Sequence, residues 1–164
     1  MRSFLLLSGL LLCACKGDDT VEGAGEAWTN YVSPEGTYLE LAPEDLPDGT
    51  PLLVSVDADS WQIREGTEWD DALHVAVHQV TSDAGLWVDE DQILPARLTE
   101  GETGEGVEVT HTGDFEVWYG TFPDTVQVEV AEGTWAGTQV FAPGLGLIHS
   151  TYLGEVWELT YYER

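Results

Sequence analysis

The chain has 164 residues, 43% of them hydrophobic, and carries 31 Asp and Glu against five Lys and Arg, a formal net charge of −26. That length, with seven Trp and six Tyr, is enough for one domain with a real core and excludes a disordered body. The charge sets the surface against nucleic acid and anionic lipid headgroups, and is most simply a solvated acidic coat.

The chain opens with one positive charge at Arg2, an apolar run from Phe4 to Leu12, and the ending Leu12-Cys13-Ala14-Cys15. This is the order of an export signal. The run falls short of the roughly 20 apolar residues that a membrane-spanning helix takes. The alternative, a buried first strand or helix of an intracellular protein, does not account for that order. The last four residues resemble the cleavage box of bacterial lipoproteins. The resemblance implies a signal peptide over residues 1–14 and lipid on Cys15, which follows small Ala14, whereas Cys13 follows bulky Leu12. Lys16 in the next place, rather than Asp, implies by the same resemblance the outer membrane of a Gram-negative envelope. With Cys13 removed and Cys15 acylated, the folded part has no disulfide, no cysteine metal ligand and no cysteine nucleophile.

Residues 15–27 are polar and Gly-rich and are expected to form a flexible linker, leaving 28–164 as the domain. From there the pattern is that of strands. Leu73, Val75 and Val77 alternate with His74, Ala76 and His78; Val126, Val128 and Val130 with Gln127 and Glu129; Trp157, Leu159 and Tyr161 with Glu158 and Thr160. Strands are expected near 37–41, 51–56, 61–65, 72–81, 85–88, 107–111, 114–119, 125–131, 135–142, 145–150 and 155–162. Turns are expected at Pro34-Glu35-Gly36, Pro47-Asp48-Gly49, Phe122-Pro123-Asp124 and Ala131-Glu132-Gly133. Glu44 to Leu46 has room for one helical turn. The expected fold is all-β: one domain of curved antiparallel sheet, a half-barrel or open barrel.

Residues 85–162 resemble a broad group of uncharacterised exported bacterial lipoproteins. The carriers are Val128-Glu129-Val130 with Gly133-Thr134-Trp135, then Phe141-Ala142-Pro143-Gly144-Leu145-Gly146-Leu147-Ile148, then the closing Val156-Trp157-Glu158-Leu159-Thr160-Tyr161-Tyr162. Leu94-Pro95-Ala96-Arg97-Leu98 fits the middle of the same pattern. Glu132 departs from it where a small residue is usual, and His149 where Lys is common. The resemblance implies a strongly curved antiparallel sheet and brings no catalytic residues. Within it, Pro143, Gly144 and Gly146 are expected to turn a sheet corner and tuck Leu145 and Leu147 inward.

Nothing in the chain has the spacing of a known catalytic site. His74 and His78 on a strand stand about 13 Å apart, too far for one metal ion, and His111 and His149 fall on other strands. Asp57-Ala58-Asp59-Ser60 starts like a calcium loop but has Gln62 where the pattern breaks. Asp70-Asp71 and Asp89-Glu90-Asp91 are further carboxylate clusters, expected in solvated turns. No Gly-x-Ser-x-Gly elbow occurs. Trp118, Trp135, Phe141 and Trp157, with Trp87 and Tyr119, have two readings. They fill the core, or some line an open concave face that holds an apolar ligand or a partner segment. The sequence therefore points to a non-catalytic, membrane-anchored envelope lipoprotein without a cofactor, binding a partner protein or apolar ligand. Its alternatives are a surface or matrix protein with weak divalent-cation binding, assisted by calcium, and a hydrolase with an unrecognised site.

Overall fold

The computed structural model describes residues 28–58, 60–66 and 75–164, with backbone only for 75–82. A short 3₁₀ turn, Trp28–Tyr31, is followed by β1 (Tyr38–Pro43), β2 (Leu52–Val56), β3 (Ser60–Glu65), β4 (Val75–Ser82), β5 (Gly85–Val88), β6 (Asp91–Pro95), β7 (Val107–Val117), β8 (Gly120–Val130), β9 (Gly137–Ala142), β10 (Gly146–Tyr152) and β11 (Glu155–Glu163). All pair antiparallel in one sheet of 11 strands, in the order β6-β5-β4-β3-β2-β1-β11-β10-β9-β8-β7. The expected curved all-β fold is what the chain adopts.

The order describes a meander that runs almost full circle. Every ladder joins neighbours in sequence except β1 with β11, where Leu39 faces Tyr162 and Leu41 faces Leu159. The sheet is left open between β6 and β7, which lie near each other without a ladder. The connection between them fills the gap. Ala96 N–H donates to Ala84 O, Gly101 N–H to Val109 O and Val109 N–H to Glu102 O. The Gln92 amide donates to Ala84 O and accepts from Glu105 N–H. With Gly104 N–H donating to Val107 O, the bonds at Val109 cover the edge of β7 from Val107 to Val109, which would otherwise offer unpaired backbone to another chain.

The alternation read from the sequence sets the faces. Val126, Val128 and Val130 are buried, while Gln127 is half-buried and Glu129 exposed. Leu39, Leu41, Val54, Ile63, Leu147 and Leu159 join them in one core. The curl brings distant elements together across it: Trp61 of β3 packs edge-on against Trp135, at 5.7 Å, and Trp135 lies 4.8 Å from Tyr152.

Three expectations were altered. Residues 107–119, expected as two strands, make the single strand β7 and the turn after it, because bulges at Val109/His111 and Gly113/Phe115 absorb the break. The turn expected at Phe122-Pro123-Asp124 lies inside β8, and the hairpin turns at Trp118-Tyr119 instead. Pro123 is tolerated because the register passes from Phe115↔Phe122 to Gly113↔Thr125, so no ladder bond is asked of it. Strand β6 was not expected: its Gln92, Ile93, Leu94 and Pro95 are all buried, so it shows no alternation. Leu145 and Leu147 are buried at the β9–β10 corner, as expected.

Candidate functional site

The sequence candidates separate. Trp135, Phe141 and Trp157 are buried, whereas Trp118 is 52% exposed at the β7–β8 tip. The structure does not gather them on an open aromatic face. Cys15 and His74 lie outside the described residues, as do Asp59 and Asp70-Asp71. Among the described residues no three His, Cys, Asp or Glu side chains are grouped so as to hold a metal ion. Asp91 instead ties down the β8–β9 loop, accepting from Thr134 N–H at 3.0 Å.

One recess stands out at the end of the sheet where the β10–β11 hairpin turns. It measures about 330 Å³ and is lined by Leu52, Ile63, Tyr152, Leu153 and Trp157, with Arg64, Glu65 and Glu155. Strands β2 and β3 supply one wall, and β10 and β11 the other. Alternation turns Leu52 and Ile63 inward, and the register sets them diagonally across β2 and β3 near the end of the curl. The Trp157 indole N–H is buried and has no hydrogen-bond partner among the described residues, a costly arrangement for a polar group.

Leu153 is the unusual residue. It is 71% exposed, with a φ of 53°, and Gly154 follows at 81°. Two successive positive φ values make a tight hairpin turn whose first place suits Asn, Asp or Gly. Leucine there costs about 1–2 kcal/mol of backbone strain and hides no apolar surface. Its N–H donates to Thr134 O at 3.1 Å, which fixes the tip. An exposed apolar residue held at positive φ beside an apolar recess makes this end of the sheet the candidate site. Leu153 was not singled out from the sequence. The available signal was an apolar residue before Gly154, between two strands, where turn chemistry calls for a polar one.

Two other recesses are less apt for an apolar ligand. One, of about 310 Å³, opens at the β7–β8 bulge beside Tyr31, Gly113 and Asp124. Another, of about 470 Å³, follows the β6–β7 gap past Gln92, Arg97 and Glu102.

On the other face of β10 a titratable pair is covered by the β7–β8 hairpin. His149 is buried, with Phe115 edge-on at 5.3 Å. Its Nδ1 is 3.5 Å from Glu158 Oε1, without hydrogen-bond geometry. Burial pushes the imidazole below its ordinary value, offset in part by Glu44. Burial, then Glu44 and Glu116, push Glu158 up, against a hydrogen bond from the Trp118 backbone. Trp118 Nε1 donates to Glu44 O and Tyr119 N–H to Leu159 O, which hold the flap down. A His whose folded value is lowered binds its proton more readily in the unfolded chain. Its contribution to stability is therefore complete above the ordinary 6.5 and is lost as pH falls through that value. The stability difference between the native protein and His149→Gln should thus grow from pH 5.5 to 7.5 in paired urea melts. A constant difference would show that burial does not control this group.

No protein-family model matches the chain, and no curated protein or solved structure matches it.

Proposed function

We propose that this protein is a non-catalytic, lipid-anchored envelope protein that binds an apolar group in the recess between β2–β3 and the β10–β11 hairpin. The anchor rests on the lipoprotein-like start and Cys15, and the outer membrane on Lys16 after it. The binding rests on Leu153, an exposed leucine held at positive φ over an apolar recess. A volume of about 330 Å³ lies at the lower end of the range for ligand pockets. It suits the end of an acyl chain or one large side chain.

Replacing Leu153 with Asn separates fold from function. The fold should gain about 1 kcal/mol from relief of strain, raising Tm by about 2–4 °C. Binding of the neutral apolar dye N-phenyl-1-naphthylamine, read by fluorescence, should weaken. A stabilised variant with unchanged dye affinity would remove the recess as the site. Intact-mass analysis of the protein from its host tests the anchor: a diacylglyceryl or acyl mass on Cys15 is expected, and an unmodified chain starting at Met1 would overturn it.

A further inference from the structure

Trp87 is a large aromatic that neither the core nor the recess beside Leu153 uses. Its neighbours Leu86 and Val88 are buried and belong to the core. Alternation along β5 therefore turns Trp87 to the outer face of the sheet, where it is half-buried. The connection between β6 and β7 crosses that face, because those two strands share no ladder. Gln92 stands opposite Trp87 in the β5–β6 register. The connection closes over Gln92: its side chain accepts from Glu105 N–H, and a β-carbon at Gly104 would overlap its Oε1. Trp87 is left beside this cover as one wall of a cleft of about 470 Å³, with Gln92, Arg97, Glu102, Thr103 and Glu105 among the other residues that line it. That volume is within the usual range for small-molecule sites, about 300–1,000 Å³.

The chemistry of the lining narrows the ligand. One flat apolar surface stands among a guanidinium, two carboxylates and a hydroxyl. Arg97 Nη1 lies 3.8 Å from Glu102 Oε1, with the two side chains 81% and 40% exposed. The pair sets donors next to acceptors and offsets one carboxylate charge. The Gln92 amide is already bonded to Ala84 O and Glu105 N–H, so it shapes the floor and leaves recognition to the others. A ligand that matches has a flat C–H face and a rim of groups that each donate and accept, which describes a sugar ring. The net charge of −26 repels an anionic sugar. An organic cation would meet the guanidinium of Arg97 at the rim. A wholly apolar molecule would strip water from the carboxylates and replace it with nothing.

We propose that this cleft binds a neutral saccharide, with one ring stacked on the Trp87 indole and its hydroxyls hydrogen-bonded by Arg97, Glu102 and Glu105. The cleft shares no lining residue with the recess beside Leu153, and neither reading depends on the other.

The test uses the full-length protein with cellotriose, maltotriose and triacetylchitotriose as probes, and choline beside them. Binding is read from the Trp87 indole N–H resonance in proton–nitrogen correlation spectra, assigned with Trp87→Tyr, which lacks it. At least one of the sugars should shift that resonance to a plateau, and its ring C–H protons should take up saturation transferred from the protein. Followed on the sugar protons, Trp87→Ala should weaken binding about tenfold or more, and Trp87→Tyr should keep most of it. Arg97→Ala, at an exposed side chain whose loss leaves the fold intact, should cost about three- to tenfold. Trp118→Ala, at the β7–β8 tip, should change nothing. Sugars that leave the Trp87 resonance unmoved at about 10 mM would overturn the proposal. Equal losses from Trp87→Ala and Trp118→Ala would overturn it too, by reducing binding to general contact with exposed aromatics. A shift with choline and with none of the sugars would replace the saccharide with an organic cation.

Discussion

Trp135→Ala should be among the most damaging single substitutions in this chain, costing about 3–5 kcal/mol. Trp135 is 1% exposed and touches Trp61 on one side and Tyr152 on the other, so it joins the β8–β9 loop to β3 and to β10. Its carbonyl accepts from the Gln139 amide at 2.7 Å, and that amide also donates to Thr151 O while Gln139 Oε1 accepts from Ser150. Removing the indole empties the space between both arms of the curl, where the surrounding strands are fixed by their ladders and cannot collapse inward. Against the usual total of about 5–15 kcal/mol, the loss is a large fraction. Thermal unfolding followed by near-ultraviolet circular dichroism should show Tm lowered by on the order of 10 °C. A drop of only a degree or two would mean that the two arms are not coupled through this ring.

The second large effect is expected from Gly146→Ala. Gly146 has a φ of 93°, and a methyl group built there would stand 2.7 Å from the backbone nitrogen of Ser33 and 2.9 Å from its Cα. The β9–β10 corner and the segment before β1 approach each other there as backbone on backbone. Positive φ costs alanine about 1–2 kcal/mol, and the overlap adds about 1–3 kcal/mol. Ser33→Gly should relieve only the contact with the serine hydroxyl, leaving the backbone overlap and the dihedral cost. The double variant should therefore recover part of the stability and never all of it. Denaturant melts of the two single variants and the double variant measure this directly. Full recovery would place the whole penalty on the serine side chain.

Much of the sheet could be read from the chain because its strands are half-buried. Where one face is core and the other is wet, as in Val126–Val130, alternation announces both the strand and its inward side. Strand β6 escaped because Gln92 to Pro95 are covered on both faces, which erases the alternation. The β7–β8 turn was misplaced because Phe122-Pro123-Asp124 carries turn chemistry that the fold uses for a bulge, while the true turn carries Trp118 and Tyr119. The candidate site was hidden for a related reason. The sequence shows which residues are aromatic, but not which of them the curl encloses. Trp135 and Phe141 pack inside, and Trp157 forms a wall of the recess. Leu153, which lines the recess, is an isolated leucine in a turn, and its one local signal is that it stands before Gly154 where a polar residue is usual. Its meaning comes from its positive φ and from the recess it lines, both products of the folded chain.

The pairing of β1 with β11 has a consequence for how the molecule is made. All other ladders can form as soon as neighbouring segments leave the ribosome. Strand β1 must keep one flank bare until residues 155–163 arrive, over a hundred positions later in the chain. During that wait Leu39 and Leu41 sit beside an open row of backbone donors and acceptors, the arrangement most prone to join strands between separate molecules. A ribosome that stops ten residues early would release a protein with nearly all of its sheet and no means of sealing it.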